Sequence, residues 1–252
     1  MPKGRSHDIV EVYWAGAPGD LVLVCEHASA YIPPELHRLG LSDQDRYSHA
    51  AWDPGARGVA LRMAELLDSV LVAGGVSRLV YDCNRPPEAP DAVPARSELI
   101  AVPGNVGLSA AARASRVATY YQPFRDALAR EVAARTAPVI VTIHSFTPVY
   151  NNQPREVEIG LLHDSDARLA DAMLACAAEH TRHDVQRNAP YGPQDGVTHT
   201  LRAHALGMGH LNVMIEIRND LIASEAQQRS FGDLLAEWLT DALAKTESAR
   251  DD

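Results

Sequence analysis

The feature that most constrains the fold is a repeated one: short apolar runs, rich in β-branched residues, that stop abruptly on polar clusters. LVLVCE (Leu21 to Glu26) runs into His27, and SRLVYD (Ser77 to Asp82) into Cys83-Asn84-Arg85. PVIVTI (Pro138 to Ile143) runs into His144-Ser145, and MIEI, which carries Glu216, into Arg218-Asn219. Apolar runs this short, bounded by turn residues, are buried strands. SVLVA (Ser69 to Ala73), EVEIGLLH (Glu156 to His163) and HDVQRN add further strands. Between them lie stretches of helical period. Asp53-Pro54-Gly55 opens one, with Asp as cap and Pro at the first position. Ser109 caps a longer one reaching about Arg135, and Asp166 to Glu179, Thr198 to Leu206 and Ser224 to Leu243 supply the rest. Strands alternating with helices predict an α/β sheet covered by helices on both faces.

In such sheets ligands bind beyond the C-terminal strand ends, so the polar clusters converge on one edge. Buried there without partners, each group would cost several kcal/mol (roughly 2–7 for a neutral one); a shared, water-filled site removes that cost and supplies chemistry. His27 and His144 are metal-ligand candidates as neutral imidazoles. A hydrolytic zinc site takes three protein ligands and keeps a position for water. The third ligand is Asp53 or, as second choice, Glu26. Glu216 lies between Ile215 and Ile217, where burial raises a carboxyl pKa. That suits a general base toward water activated by a divalent metal, expected to be zinc; the plainer alternative is an ion pair with Arg218 or Arg85. Arg78, Arg85 and Arg218 are candidates for binding a substrate carboxylate or polarising a carbonyl, and Asn84 and Asn219 for orienting the substrate. The polar, proline-rich segment Asn84 to Leu108 is a candidate lid. His163 and His199 are spare candidates, and the other histidines, including His7, His37 and His180, read as surface residues.

The chain has 252 residues, 46% of them hydrophobic, and no linker, low-complexity tract or repeat, so residues 1–252 are expected to form one α/β domain. Lys+Arg 23 against Asp+Glu 33 gives −10, which disfavours nucleic acid or an anionic membrane as partner. A small anionic substrate remains compatible, because a local arginine cluster sets the potential of a site. MPKGRSHDIVEVYW lacks the apolar core of a signal peptide, and no run approaches the roughly 20 apolar residues that span a bilayer. Cys25, Cys83 and Cys176 are isolated and read as reduced, buried thiols in a cytoplasmic protein. Oligomeric state is not readable.

CEHASAYIPPEL, SRLVYDCNRP, PGNVGLS, IHSFTP and IEIRNDLI, in this order from about Val22 to Leu243, resemble the N-formylglutamate amidohydrolase family. The resemblance implies a three-layer α/β/α fold with a mixed, mostly parallel central sheet, similar to the zinc carboxypeptidases and aminoacylases. It implies His27 and His144 as metal ligands and Glu216 as general base. It also implies that Asn84-Arg85 bind carboxylate and polarise the carbonyl. Carboxypeptidases carry a glutamate three residues after the first histidine. Here that position is Ala30, so the third ligand is not implied. The expected substrate is a small anionic N-acyl amino acid such as N-formylglutamate. The alternatives are another N-acyl amino acid, a short peptide, or a non-catalytic carboxylate-binding role.

Overall fold

The computed structural model describes residues 8–251, so the expectation for His7 lies outside the described residues. Seven strands form the central sheet: β1 (Val10–Tyr13), β2 (Leu21–Cys25), β3 (Val70–Gly74), β4 (Val139–Phe146), β5 (Ile159–Leu162), β6 (Val185–Arg187) and β7 (Asn212–Arg218). Their spatial order is β1-β3-β2-β4-β7-β5-β6. The four central strands β3, β2, β4 and β7 are parallel, β1 and β5 pair antiparallel with their inner neighbours, and β6 runs with β5. The sheet is therefore mixed, with a parallel centre.

Alternation along each strand sorts the core into two layers. Leu23, Leu71, Val141, Ile143, Val213 and Ile215 point to one side. There they pack under the helices α1 (Ala56–Leu66), α4 (Arg168–His180) and α6 (Glu225–Asp251). Trp238 of α6 is fully buried and donates its indole N–H to the carbonyl of Met173 at 2.8 Å. Val22, Val24, Val72, Ile140 and Met214 point to the other side. They meet α3 (Gln122–Ala133), which continues α2 (Ala110–Arg116) through a π-turn at Val117–Tyr121, and the short α5 (His199–His204). Ser109 caps α2 as expected, accepting from the amide of Ala112 at 3.1 Å.

Three expectations are corrected. SRLVYD is a turn, not a strand. The Ser77 hydroxyl donates to the carbonyl of Ala51 at 2.7 Å and accepts the Leu79 amide at 3.1 Å, while the amide of Val80 donates to the carbonyl of Ser77. These local bonds replace a sheet ladder, and Leu79 and Val80 are buried as turn residues. Asp53 does not cap α1 with its side chain. Gly55, at φ 84°, is the N-cap, and the carboxylate turns the other way, into the site. His180 is not a surface residue: it stacks on Trp238 and its side chain is only 7% exposed. The expected lid, Asn84 to Leu108, carries a small hairpin of Arg96–Ser97 and Ile100–Ala101.

Candidate active site

The parallel centre of the sheet delivers the functional groups to one end. On β4 and β7 the apolar alternation breaks at the C-terminal end of one face, where Thr142 is followed by His144, and Met214 by Glu216. The ladder between these strands sets Glu216 beside His144. The β2–β4 ladder sets Val24 beside Thr142, and two residues further Glu26 Oε2 lies 3.0 Å from His144 Nε2. Gly74, at the end of β3, makes this possible, because a Cβ there would lie 2.1 Å from the carbonyl oxygen of Glu26.

His27 leaves the end of β2, and Asp53 arrives from the loop before α1, held by its amide on the carbonyl of His27 at 3.0 Å. Asp53 Oδ2 is 2.9 Å from His144 Nδ1 and 3.3 Å from His27 Nδ1, and accepts the amide of Ser145 at 3.3 Å. The outward nitrogen of each imidazole faces its own carboxylate: His27 Nε2 lies 2.8 Å from Asp82 Oδ1, and His144 Nε2 faces Glu26. Donor atoms of His27, Asp53 and His144 all lie within 4.8 Å of one another. Glu26, His27, Asp53, Asp82, His144 and Glu216 are all at most 5% exposed.

Charge holds this cluster together. Burial works against the charged form of every member, and neighbours of opposite sign decide the outcome. Burial pushes Asp53 up, but His27 and His144 outweigh it and hold the carboxyl well below its usual range. Asp82 is likewise held low by Arg78 and His27 against burial. Burial lowers His144 and Glu26 raises it, leaving it well above the ordinary imidazole value. His27 is pulled down by burial and Arg78, and raised on balance by Asp82 and Asp53. Glu216 differs: burial dominates, opposed by His144, and its carboxyl is pushed up to about 7. Oε2 of Glu216 is buried without a hydrogen bond. Such an orphaned atom marks a place where a further group belongs.

The cluster floors a cavity of about 500 Å³ lined by His27, Asp53, Arg78, His144, Tyr191 and Glu216 among others. Five sequence-predicted residues, His27, Asp53, Arg78, His144 and Glu216, therefore meet here. Asn84 and Arg85 also border the cavity, but both are engaged. Arg85 binds Asp91 at 2.7 Å and the carbonyl of Gly196 at 2.9 Å, and Asn84 binds the backbone of Val197 and Thr200. Arg78 bridges Asp53 and Asp82, 2.7 Å from Asp82 Oδ2. Arg218 and Asn219 are not brought to the cavity. Arg218 is bound to Asp220 at 2.9 Å and to Glu158 at 3.3 Å. His163 and His199 also stay outside the lining, His199 meeting the Tyr121 hydroxyl at 2.8 Å. Cys25 and Cys83 are buried, and burial pushes both thiols well up, so neither is a nucleophile at neutral pH.

Several cavity residues carry no sequence signal of their own. His49, grouped above with the surface histidines, pairs with Glu98 at 2.6 Å on the cavity wall. Tyr191 reaches the cavity because Gly160, opposite Glu216 in the sheet, lets the chain cross closely: a Cβ there would lie 1.9 Å from the carbonyl oxygen of Ala189. Burial and Glu216 push the Tyr191 hydroxyl up to about 12, so it stays protonated. Arg155 lines the wall beside Tyr191, with Phe146 and Tyr150.

The sequence profile of the family described as N-formylglutamate amidohydrolase matches residues 19–223. No curated protein matches the chain. Among solved structures, a gene product of Agrobacterium tumefaciens is 55% identical, with 95% of this chain and 96% of that chain covered and a TM-score of 0.92. The N-formylglutamate amidohydrolase of Ralstonia eutropha shares the fold at 19% identity, with 96% and 98% covered and a TM-score of 0.56.

Proposed function

The chain belongs to the N-formylglutamate amidohydrolase family, an amide-hydrolase family, and from that premise we propose that it removes the formyl group from an acidic N-formyl amino acid, N-formylglutamate being the type substrate. The observation that carries the reading is the convergence of His27, Asp53 and His144 with Glu216 on the floor of one cavity. Two imidazoles and one carboxylate are the donor set of a hydrolytic zinc site, and Asp82 and Glu26 on the far nitrogens are the partners that orient metal-bound histidines. Zinc is the ion we assign, since this mixed nitrogen and oxygen set suits it better than the all-oxygen ions. Bound there, it would act as a Lewis acid toward water and the scissile carbonyl.

The remaining steps fall to the chain's own groups. Glu216, with its carboxyl near neutrality and an oxygen without a partner, takes the proton of the attacking water and returns it to the leaving nitrogen. Formate and the free amino acid leave. Arg78, 27% exposed at its side chain, turns a fixed positive charge toward the cavity, favouring an anionic substrate and the developing oxyanion. Arg85 supports this indirectly, by tying the Asn84 turn to the Asp195–Gly196 segment. The same placement, two histidines and an acid at the ends of neighbouring parallel strands, supports the finer likeness to the zinc-exopeptidase sheet. No helix among the described residues is long and apolar enough to cross a membrane, and three unpaired buried cysteines support a cytoplasmic address.

The test is turnover of N-formyl-L-glutamate, read as release of formate and free amine, beside N-acetyl- and N-succinyl-glutamate and N-formyl derivatives of neutral amino acids. Chelation should abolish activity and zinc restore it. A zinc-loaded protein that hydrolyses no N-formyl amino acid sinks the proposal.

A further inference from the structure

The arginines at and near the cavity differ in what they have left to offer. Arg78 is fixed by Asp53 and Asp82, Arg85 by Asp91 and loop carbonyls, and Arg218 by Asp220 and Glu158. Arg155 is different. Among the described residues no carboxylate forms an ion pair with it. The nearby acid Glu98 is occupied by His49 at 2.6 Å and by the amide of Asn151 at 3.0 Å.

Three aromatic rings surround the guanidinium of Arg155 instead. Its central carbon lies 4.5 Å from the ring centre of Tyr150, 4.7 Å from Tyr191 and 5.6 Å from Phe146. All four side chains line the cavity that holds Glu216 and the histidines. The backbone beneath is anchored as well: the amide of Arg155 donates to the carbonyl of Pro148 at 2.8 Å, and its own carbonyl accepts from Arg218 at 3.3 Å. Arg218 thus holds the segment that carries Arg155. Of the five guanidinium N–H groups, one makes a long contact of 3.4 Å to the carbonyl of Thr147, and a side-chain hydrogen bond links the guanidinium to Tyr191. A half-buried cation held by rings, with two neutral acceptors and no carboxylate, keeps donors for an incoming carboxylate.

We propose that Arg155, in its box of Phe146, Tyr150 and Tyr191, is the specificity-determining residue that captures a carboxylate of the amino acid substrate. This deepens the function proposed above and rests on it for the nature of the substrate. The α-carboxylate and the side-chain carboxylate of a glutamyl group share this chemistry, and the test separates them.

Calorimetry on the zinc-loaded protein with L-glutamate, L-glutamine and L-isoglutamine provides the readout. Masking the carboxylate that faces Arg155 should weaken binding to the parent about 30-fold or more, as loss of one partner of a hydrogen-bonded charge pair does. Arg155→Met should weaken L-glutamate binding by a similar factor and erase the distinction between L-glutamate and that one amide. Arg155→Lys, which keeps the charge and loses the fork, should fall between. On N-formyl-L-glutamate, Arg155→Met should raise KM far more than it lowers kcat. The inference is overturned if Arg155→Met keeps the parent's affinity and discrimination, or if the parent binds all three ligands equally or not at all. If Arg155→Met hydrolyses N-formyl-L-glutamate with the parent's KM, the proposed function survives without this inference. If the parent hydrolyses no N-formyl amino acid while Arg155→Met loses glutamate binding, the inference survives without that function.

Discussion

Metal uptake should be an exchange of protons for one cation, and the structure sets the stoichiometry. In the metal-free cluster each nitrogen of His27 and His144 faces a carboxylate, and both imidazoles are raised above their ordinary value, so both rings are imidazolium below about pH 6.5. The cations are then His27, His144 and Arg78, the anions Asp53, Asp82 and Glu26, and Glu216 titrates at about 7. A divalent ion needs neutral imidazole ligands, so two protons must leave for two charges gained. Below pH 6.5 the two imidazoles alone should therefore raise the apparent affinity about 100-fold per pH unit, roughly 2.7 kcal/mol at about 1.36 kcal/mol per proton, and the proton of Glu216 adds to that slope. Calorimetry at pH 6 in buffers of different ionisation enthalpy counts the protons. The parent should release between two and three, since Glu216 also sheds its proton beside the cation, and Glu216→Gln should release two. Release of one proton or none would refute the charge assignment. The sign for stability follows. His27 and His144 have raised folded-state pKa values, so their contribution is complete below about 6.5 and is lost as pH rises through the folded values. Glu216, also raised, adds loss in the same direction from about 4.5 to 7. The metal-free protein should thus melt at falling temperature from pH 6 to 9, and the zinc-loaded protein should not.

Three substitutions separate the roles around this cluster. Glu216→Gln should lower kcat by about 10²–10⁴ with unchanged zinc content by elemental analysis; full activity with metal bound would end its assignment as base. Asp82→Asn, which touches the far nitrogen of His27 and not the donor side, should weaken zinc binding roughly 10- to 100-fold. Unaltered affinity in a chelator competition would remove its orienting role. Trp238→Ala, on the opposite face of the sheet, should cost about 3–5 kcal/mol of stability in urea while leaving zinc affinity at the parent's value. A change in that affinity would mean the two layers are not independent.

The strands that build the site are legible in sequence because their signal is local. Four central strands buried on both faces must be continuous apolar runs, and a histidine or glutamate that ends one is visible without knowing its neighbours. That is why His27, His144 and Glu216 can be found along the chain. Ser77–Asp82 misleads because Leu79 and Val80 are as apolar as strand residues; the hydroxyl of Ser77, which folds the segment into a turn, looks like any serine. Asp53 sits between the two cases. Its helix-start position is readable, but whether its carboxylate caps the helix or faces two imidazoles depends on a loop conformation that Gly55 permits and no local pattern encodes. The arginines mark the limit. Arg78, Arg85, Arg155 and Arg218 are chemically identical in sequence, and three of them stand beside recognisable motifs while Arg155 stands in none. What distinguishes them is which carboxylates the fold has already given each one: Asp53 and Asp82, Asp91, Asp220 and Glu158 are taken by the three beside motifs. The arginine left without a carboxylate is the one proposed above to hold the substrate's. That property arises from pairing across the whole fold, so proximity to a motif does not reveal it and the count of occupied partners is what singles out Arg155.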